Sequence, residues 1–199
     1  MSALTEQFGQ IDIYLFDQLL RGRITPGMRI LDAGCGFGRN LVYFLREGYE
    51  VFGADEDPQA VAAVRRLATP LPPENFRAVP VEAMSFPDSF ADVVLSSAVL
   101  HFARDDRQFE AMLDGAWRVL KPGGLFFCRL ASSIGIETKV RCLAGRRHLL
   151  PDGSERYLVD EALLLHLTAR LGGRLADPLK TTVVQNQRSM TTWVVRKNL

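Results

Sequence analysis

Apolar residues follow two alternating patterns between residues 28 and 131. Short apolar runs predict strands, and apolar stripes at helical spacing predict the helices between them. The predicted strands cover residues 28–31, 49–54, 76–79, 91–95 and 125–130, and the predicted helices cover residues 39–47, 59–68 and 105–119. Because the strands alternate with helices and are apolar along their whole length, the pattern predicts a parallel sheet with helices on both faces.

The last third of the chain departs from this pattern. Residues 132–157 are polar and predict an irregular segment. A helix is predicted over residues 159–171, and the strand-like runs 175–184 and 190–196 follow it. Since a short polar stretch separates these two runs, they predict an antiparallel hairpin that closes the sheet.

An apolar stripe near the N-terminus predicts one helix over residues 6–20. The stripe consists of Phe8, Ile11, Leu15 and Leu19. This helix precedes the first strand, so the sheet does not need it, but it is too apolar to remain free in water. We therefore expect it to dock on another part of the fold.

Length and charge narrow the possible functions. The chain has 199 residues, which fits one domain, and 24 basic against 23 acidic residues give a net charge of +1. A near-neutral total provides no overall attraction to nucleic acid or to an anionic membrane, and no apolar run is long enough for a membrane helix. Three dispersed cysteines, Cys35, Cys128 and Cys142, suit neither a disulfide scaffold nor a zinc site. Since the N-terminus also lacks a secretory signal pattern, we expect a cytoplasmic protein without a bound metal.

Residues 31–38 hold the most informative motif, Leu-Asp-Ala-Gly-Cys-Gly-Phe-Gly, between the first predicted strand and helix. Its G-x-G-x-G spacing differs from the G-x-G-x-x-G of dinucleotide-binding loops. Asp32 would repel a pyrophosphate and would attract a cationic group. Asp55 ends the second predicted strand, where a carboxylate can bind both hydroxyls of a ribose. The motif therefore predicts a nucleoside ligand with a positively charged tail.

Over residues 28–131 the chain resembles the class I S-adenosylmethionine-dependent methyltransferases. Five segments carry the resemblance, in the family's order: residues 30–38, 52–55, 81–88, 90–94 and 118–124. The fourth segment departs from the usual Phe-Asp-x-Val, because Ala91 separates the phenylalanine from the aspartate. The resemblance implies a Rossmann-like fold with a seven-stranded, mostly parallel sheet, an antiparallel last strand and helices on both faces.

The resemblance also implies a cofactor site for S-adenosylmethionine, with S-adenosylhomocysteine as the product. The methionine part would lie against the glycine loop, its ammonium near Asp32 and the carbonyl of Ser97, and the ribose at Asp55. The adenine would lie among Glu56 and the 82–84 segment. The implied cofactor residues are Asp32, Gly34, Cys35, Gly36, Asp55, Glu56, Glu82, Ala83, Met84 and Ser97. Asp57 precedes Pro58 and is better explained as a helix cap than as a second ribose ligand.

Because the sequence shows no basic face of the kind expected for binding RNA or DNA, we expect the acceptor to be a small molecule. It would attack the sulfonium methyl in line. His101 follows the fourth strand and is expected to position the acceptor or remove its proton, or else to pack as a structural residue. Phe102 is a further candidate acceptor contact, as are Tyr14 and Phe16 if the N-terminal helix forms a lid over the cofactor. The basic segment 139–156 is either a solvated loop or a contact for an anionic acceptor.

The sequence predicts a single domain that is a monomer or a homodimer. Its predicted parts are a lid helix (1–22), a cofactor-binding core (28–131), a substrate-side insertion (132–157) and a C-terminal helix and hairpin (158–199). The segment 38–40, Gly-Arg-Asn, also resembles the tellurite-resistance branch of the family, although the later chain does not sustain that match. Two other functions stay open: a non-catalytic partner protein that binds the cofactor, and a NAD-dependent oxidoreductase, which the glycine spacing and Asp32 disfavour.

Overall fold

The computed structural model describes residues 3–199, so the first two residues of the predicted lid lie outside the described part of the chain. Its helices are α1 (Ala3–Phe8), α2 (Ile13–Leu20), α3 (Val42–Arg46), α4 (Pro58–Leu67), α5 (Asp106–Val119) and α6 (Glu161–Arg170). Its strands are β1 (Arg29–Ala33), β2 (Glu50–Asp55), β3 (Phe76–Ala78), β4 (Ala91–Ser97), β5 (Leu120–Ala131), β6 (Arg141–Ala144), β7 (Arg147–Leu149), β8 (Glu155–Tyr157), β9 (Gly173–Leu175), β10 (Lys180–Val184) and β11 (Arg188–Lys197).

The central sheet has the strand order β10-β11-β5-β4-β1-β2-β3, and β9 pairs with the far end of β11. Strands β1 to β5 pair in parallel, whereas β11 is antiparallel to both β5 and β10. The predicted mostly parallel sheet and its antiparallel last strand are therefore confirmed, but β9 makes the sheet eight-stranded, whereas seven strands were expected. The predicted strand 175–184 is wrong in detail, because β9 and β10 pair with opposite ends of β11 and the chain between them leaves the sheet.

The strand order reverses between β1 and β4. From β1 the chain builds outward through β2 and β3, and it then returns to add β4 and β5 on the other side. The connections on the two sides therefore diverge above the carboxyl ends of β1 and β4. Such a reversal opens a crevice, which is where open α/β sheets bind ligands.

Both faces of the sheet are buried. Phe126 contributes to a cluster that α5 and α6 cover, with Trp117 and Trp193, while its neighbour Phe127 contributes to a second cluster under α2, α3 and α4. Adjacent strand residues point to opposite faces, so an uninterrupted apolar run fills both clusters. The predicted helices on both faces are confirmed.

The predicted helix 6–20 is wrong: the structure has two short helices joined by residues 9–12. Gly9 takes a left-handed conformation and ends α1, and the Asp12 carboxylate accepts a hydrogen bond from the Tyr14 amide and caps α2. Leu15 on α2 is fully buried in the cluster beneath the sheet, whereas α1 has no buried residue. Helix α2 is thus part of the folded core and not a separate lid.

The predicted irregular segment 132–157 is also wrong. It contains a second, three-stranded antiparallel sheet in the order β6-β7-β8. Tyr157 stacks on Phe109 with ring centroids 4.5 Å apart, and its hydroxyl donates to Asp106. Since α5 follows the end of β4, these contacts hold the small sheet at the carboxyl edge of the main one.

Replacing Leu15 by alanine should lower the free energy of unfolding by about 2–5 kcal/mol, because it leaves a cavity in the core. The matched change Leu4→Ala on α1 removes a side chain that is 68% exposed and should change stability by less than about 0.5 kcal/mol. Urea unfolding of both variants measures the difference. Equal stability of the two variants would show that α2 is a detachable lid.

Candidate functional site

A cavity of about 900 Å³ lies at the carboxyl edge where the strand order reverses. This volume is near the upper end of the roughly 300–1,000 Å³ typical of small-molecule sites. The glycine loop after β1, the ends of β2 and β4, the small sheet and the β10–β11 hairpin all contribute to its wall. Of the residues predicted for a cofactor or acceptor, those that line it are Gly34, Cys35, Gly36, Asp55, Glu56, Glu82, Ser97, His101 and Phe102.

Two glycines of the loop are required for different reasons. A Cβ on Gly34 would lie 2.3 Å from Cγ2 of Val99, so this position lets the loop approach the segment after β4. A Cβ on Gly36 would meet no protein atom within 4 Å, and Gly36 lines the cavity. Both residues have a positive φ, which glycine adopts without steric cost. The first glycine thus serves packing, and the second leaves cavity space free.

Asp55 is held in place by the backbone. Its Oδ2 accepts a hydrogen bond from the Gly36 amide (2.8 Å), and its Oδ1 accepts one from the Asp57 amide (3.0 Å). Each carboxylate oxygen retains a lone pair for a ligand hydroxyl. Asp57 itself accepts a hydrogen bond from the Gln59 amide and caps α4, as predicted.

Asp32 is buried beneath the glycine loop and does not itself line the cavity. Its Oδ1 has no hydrogen-bond partner among residues 3–199. Burial raises the pKa of Asp32 to about 8; the charge of Asp55 adds to this, and Arg39 opposes it. A buried carboxyl oxygen without a partner is costly unless a ligand supplies one. The arrangement fits a ligand that brings a cationic group to this position.

The predicted adenine contacts need correction. Glu82 lines the cavity, where it accepts a hydrogen bond from the Gln108 amide nitrogen (3.0 Å). Ala83 and Met84 do not line it, because the single helical turn over Val81–Ala83 points Met84 into the core and leaves Ala83 in solvent. Val81 and Met112 supply apolar wall in their place.

Ser97 ends β4, and Ala98 after it has φ +64°, a strained conformation for alanine. The Ser97 hydroxyl accepts a hydrogen bond from the Arg39 guanidinium (3.0 Å). It also lies 3.4 Å from the buried carboxylate of Asp12, which forms an ion pair with Arg129 (3.1 Å). The parallel pairing of Ser97 with Arg129 places this arginine at the site.

His101 is buried with its Nδ1 accepting a hydrogen bond from the Ala131 amide (3.0 Å). An amide N–H can only donate, so Nδ1 is unprotonated and the proton of the neutral ring lies on Nε2. Burial, with Arg156 and Arg129 nearby, lowers the pKa of His101 to about 4. With its proton on Nε2, His101 is poorly placed to remove a proton from the acceptor, whereas a role as a hydrogen-bond donor to the acceptor fits this geometry.

Tyr14 and Phe16 do not line the cavity, so their predicted contact with the acceptor is wrong. The Tyr14 hydroxyl shares a 2.7 Å hydrogen bond with Thr182 on β10, and Phe16 packs edge to face on Phe8. The connector between α1 and α2 supplies Gln10 to the wall instead. The helical pattern concealed this connector because it treated residues 6–20 as continuous.

Four arginines line the cavity, of which only Arg156 belongs to the basic segment 139–156. The others are Arg39, Arg129 and Arg188. Elsewhere in the segment, Arg146 pairs with Asp160 and Arg147 pairs with Glu155. Strand pairing across the sheet assembles these arginines, so no local motif signals the group.

Neither a membrane span nor a metal centre is found in the described part of the chain. None of the helices within residues 3–199 is long and apolar enough to cross a membrane. Over the same range, no three side chains of histidine, cysteine, aspartate or glutamate are grouped so that they could hold a metal ion.

Comparison with known proteins indicates the family to which the central part of the chain belongs. Residues 31–128 match the family described as "Methyltransferase domain". The chain carries a methyltransferase domain. It is 34% identical over 103 residues to an uncharacterized methyltransferase of Synechocystis (52% of this chain, 47% of the relative). It is 30% identical over 154 residues to a ubiquinone biosynthesis O-methyltransferase of Bradyrhizobium (70% of this chain, 59% of the relative). The chain thus spans about half of the length of these methyltransferases.

The fold of this chain is also similar to that of a solved methyltransferase structure. The crystal structure of the Burkholderia thailandensis 1,6-didemethyltoxoflavin-N1-methyltransferase, with bound 1,6-didemethyltoxoflavin and S-adenosylhomocysteine, aligns with a TM-score of 0.71. The alignment covers 96% of this chain and 80% of that one at 20% identity. At this identity the similarity establishes the Rossmann-like methyltransferase fold and leaves ligand and acceptor to the geometry of the site.

Proposed function

We propose that the cavity binds S-adenosylmethionine and that the protein transfers its methyl group to a small-molecule acceptor. One observation carries the proposal: Asp55, the predicted ribose ligand, is hydrogen-bonded to the amide of Gly36, and Gly36 faces open cavity. This hydrogen bond would join the proposed ribose site to the proposed methionine site through one loop. The methyltransferase domain supports the same ligand.

The protein's part in the reaction is binding and alignment. The sulfonium of S-adenosylmethionine is the electrophile, so the protein must orient an acceptor and exclude water. Asp55 and Glu56 line one end of the cavity and His101 and Phe102 line the other. A nucleoside at the first end leaves the second for the acceptor. The Asp32 carboxyl lies below the loop between them, where it offers an anionic partner to the ammonium.

The walls of the cavity support a small molecule as the acceptor. The glycine loop, the small sheet and the β10–β11 hairpin surround one cavity, which suits a small molecule better than a nucleic acid. We further propose that the protein acts in the cytoplasm as a monomer or a homodimer. The Gly-Arg-Asn segment that resembles the tellurite-resistance branch has a structural role here, because Arg39 donates to Ser97 and Asn40 accepts from the Asp12 amide.

Pools of small organic acceptors, incubated with the protein and S-adenosylmethionine, test the proposal through the release of S-adenosylhomocysteine. At least one pool should raise the release above the rate without acceptor, and Gly36→Val should abolish it, since the side chain enters the cavity. Gly22→Val is the matched control: Gly22 also has a positive φ and open space, but it lies outside the cavity. Tight cofactor binding with no release from any pool would instead identify a non-catalytic binding protein.

Cofactor binding should release a proton from Asp32. The pKa of this carboxyl is raised to about 8 in the free protein, and a cation beside it favours the ionised form. S-adenosylhomocysteine retains the ammonium group. Its affinity should therefore increase by up to about tenfold for each unit that the pH rises towards 8, and it should level off above pH 8. Calorimetry in buffers of different ionisation enthalpy measures the proton.

Asp32→Asn is the control for this linkage, because the amide cannot ionise. It should bind S-adenosylhomocysteine without the Asp32-dependent proton release. A wild-type binding enthalpy that does not vary with the buffer would show that Asp32 does not face the cofactor.

A further inference from the structure

The end of the cavity that faces away from Asp55 is rich in hydrogen-bond donors. Arg129, Arg156 and Arg188 line it together with His101. Arg129 is paired with Asp12, yet its Nε is buried and has no partner within the described chain. Arg156 donates to a backbone carbonyl and forms no ion pair with any carboxylate among residues 3–199.

Carboxylates do not balance these charges. Asp152 is the acidic side chain of the small sheet that lines this end, and its Oδ1 already accepts hydrogen bonds from the amide and hydroxyl of Ser154. The Ser154 hydroxyl and amide, with Arg188 and Arg156, hold the pKa of Asp152 below its usual value. The three arginines at this end, Arg129, Arg156 and Arg188, face two carboxylates, Asp12 and Asp152. The excess charge is positive.

His101 adds a donor of fixed orientation. Its Nδ1 is occupied by the Ala131 amide, so Nε2 carries the proton. Phe102 connects it to Arg156: the two rings lie 4.6 Å apart, and the Arg156 guanidinium lies 4.8 Å from the Phe102 centroid. Phe102, Leu150, Val184 and Met190 add apolar wall at the same end.

We propose that the methyl acceptor is an organic oxyanion, a carboxylate or phenolate on an apolar body, and that its charged oxygen is bound by the His101 Nε2–H and the Arg156 guanidinium. This inference rests on the proposed methyl transfer. The acceptor oxygen forms a bond to the methyl carbon as the carbon–sulfur bond breaks, and sulfur keeps the electron pair. The products are a neutral ester or ether and a neutral thioether, so no proton has to leave and His101 need not act as a base.

Binding of 2-naphthoate and of its neutral analogue 2-naphthamide to the protein saturated with S-adenosylhomocysteine tests the acceptor class. Naphthoate should bind at least about tenfold more tightly, and Arg156→Gln should remove that preference while the affinity for S-adenosylhomocysteine is unchanged. Arg147→Gln is the matched control, since Arg147 lies on the same small sheet, pairs with Glu155 and does not line the cavity. Equal affinity for the two probes, or binding of neither, would overturn the proposal.

Two substitutions separate the functions of His101. In His101→Asn the amide oxygen can still accept from the Ala131 amide, but the donor at the Nε2 position is removed, so naphthoate affinity should decrease about tenfold in a folded protein. In His101→Gln the side-chain amide can reach the Nε2 position, and naphthoate affinity should be largely retained although glutamine cannot act as a base. Naphthoate affinity in His101→Asn equal to that of the wild type would overturn the role of His101.

The ring itself gives a readout that does not depend on the variants or on turnover. Nitrogen-15 NMR of the wild type should show His101 protonated on Nε2 alone from pH 8 to pH 5. Protonation on Nδ1 would contradict the assignment. Failure to bind S-adenosylhomocysteine would count against the proposed function, whereas binding without a preference for naphthoate would count only against the oxyanion.

Discussion

The reversal of strand order between β1 and β4 determines where the other parts of the site can lie. It separates the connections on the two sides of the sheet, and the crevice between them receives the glycine loop from β1 and Ser97 from β4. Close contact across this point requires a residue without a side chain, because a Cβ on Gly34 would overlap Val99. The strained backbone of Ala98 lies next to the same contact. Packing at the reversal thus positions the loop, and the loop in turn orients Asp55 through the Gly36 amide.

Charge is distributed unevenly along the resulting cavity. Asp55, Glu56 and Glu82 line one end, and Arg129, Arg156 and Arg188 line the other. A ligand with a ribose and a cationic tail complements the acidic end, and an anion complements the basic end. The small sheet contributes Arg156 and the β10–β11 hairpin contributes Arg188, so elements outside the methyltransferase domain at residues 31–128 form much of the basic end, which is the proposed acceptor site.

Local patterns were sufficient for the parts of the fold that depend on local constraints. The glycine loop, Asp55 at the end of β2 and the Asp57 cap each follow from a few neighbouring residues, and the structure places them as predicted. The prediction of one N-terminal helix was wrong because a helical stripe continues across residues 9–12. The partly buried Asp12–Arg129 pair that anchors this connector joins residues 117 positions apart. The predicted adenine contact of Met84 was wrong for a related reason. The direction of its side chain depends on a single helical turn that sequence periodicity cannot resolve. The group of arginines that lines the cavity could not be predicted from local patterns either, because its assembly depends on the register of the sheet.

Calorimetry of S-adenosylhomocysteine binding to Asp55→Ala tests the central claim most directly. Removing the carboxylate should weaken binding by at least about tenfold for each ribose hydroxyl that it leaves without an acceptor, because such charge-assisted hydrogen bonds are worth about 1.5–3 kcal/mol. The matched variant Asp57→Ala removes the neighbouring carboxylate that only caps α4, and should lower stability by about 1 kcal/mol while it leaves the affinity unchanged. Weaker binding in Asp55→Ala alone is the predicted result, and equal affinity of the two variants would contradict the proposed cofactor site.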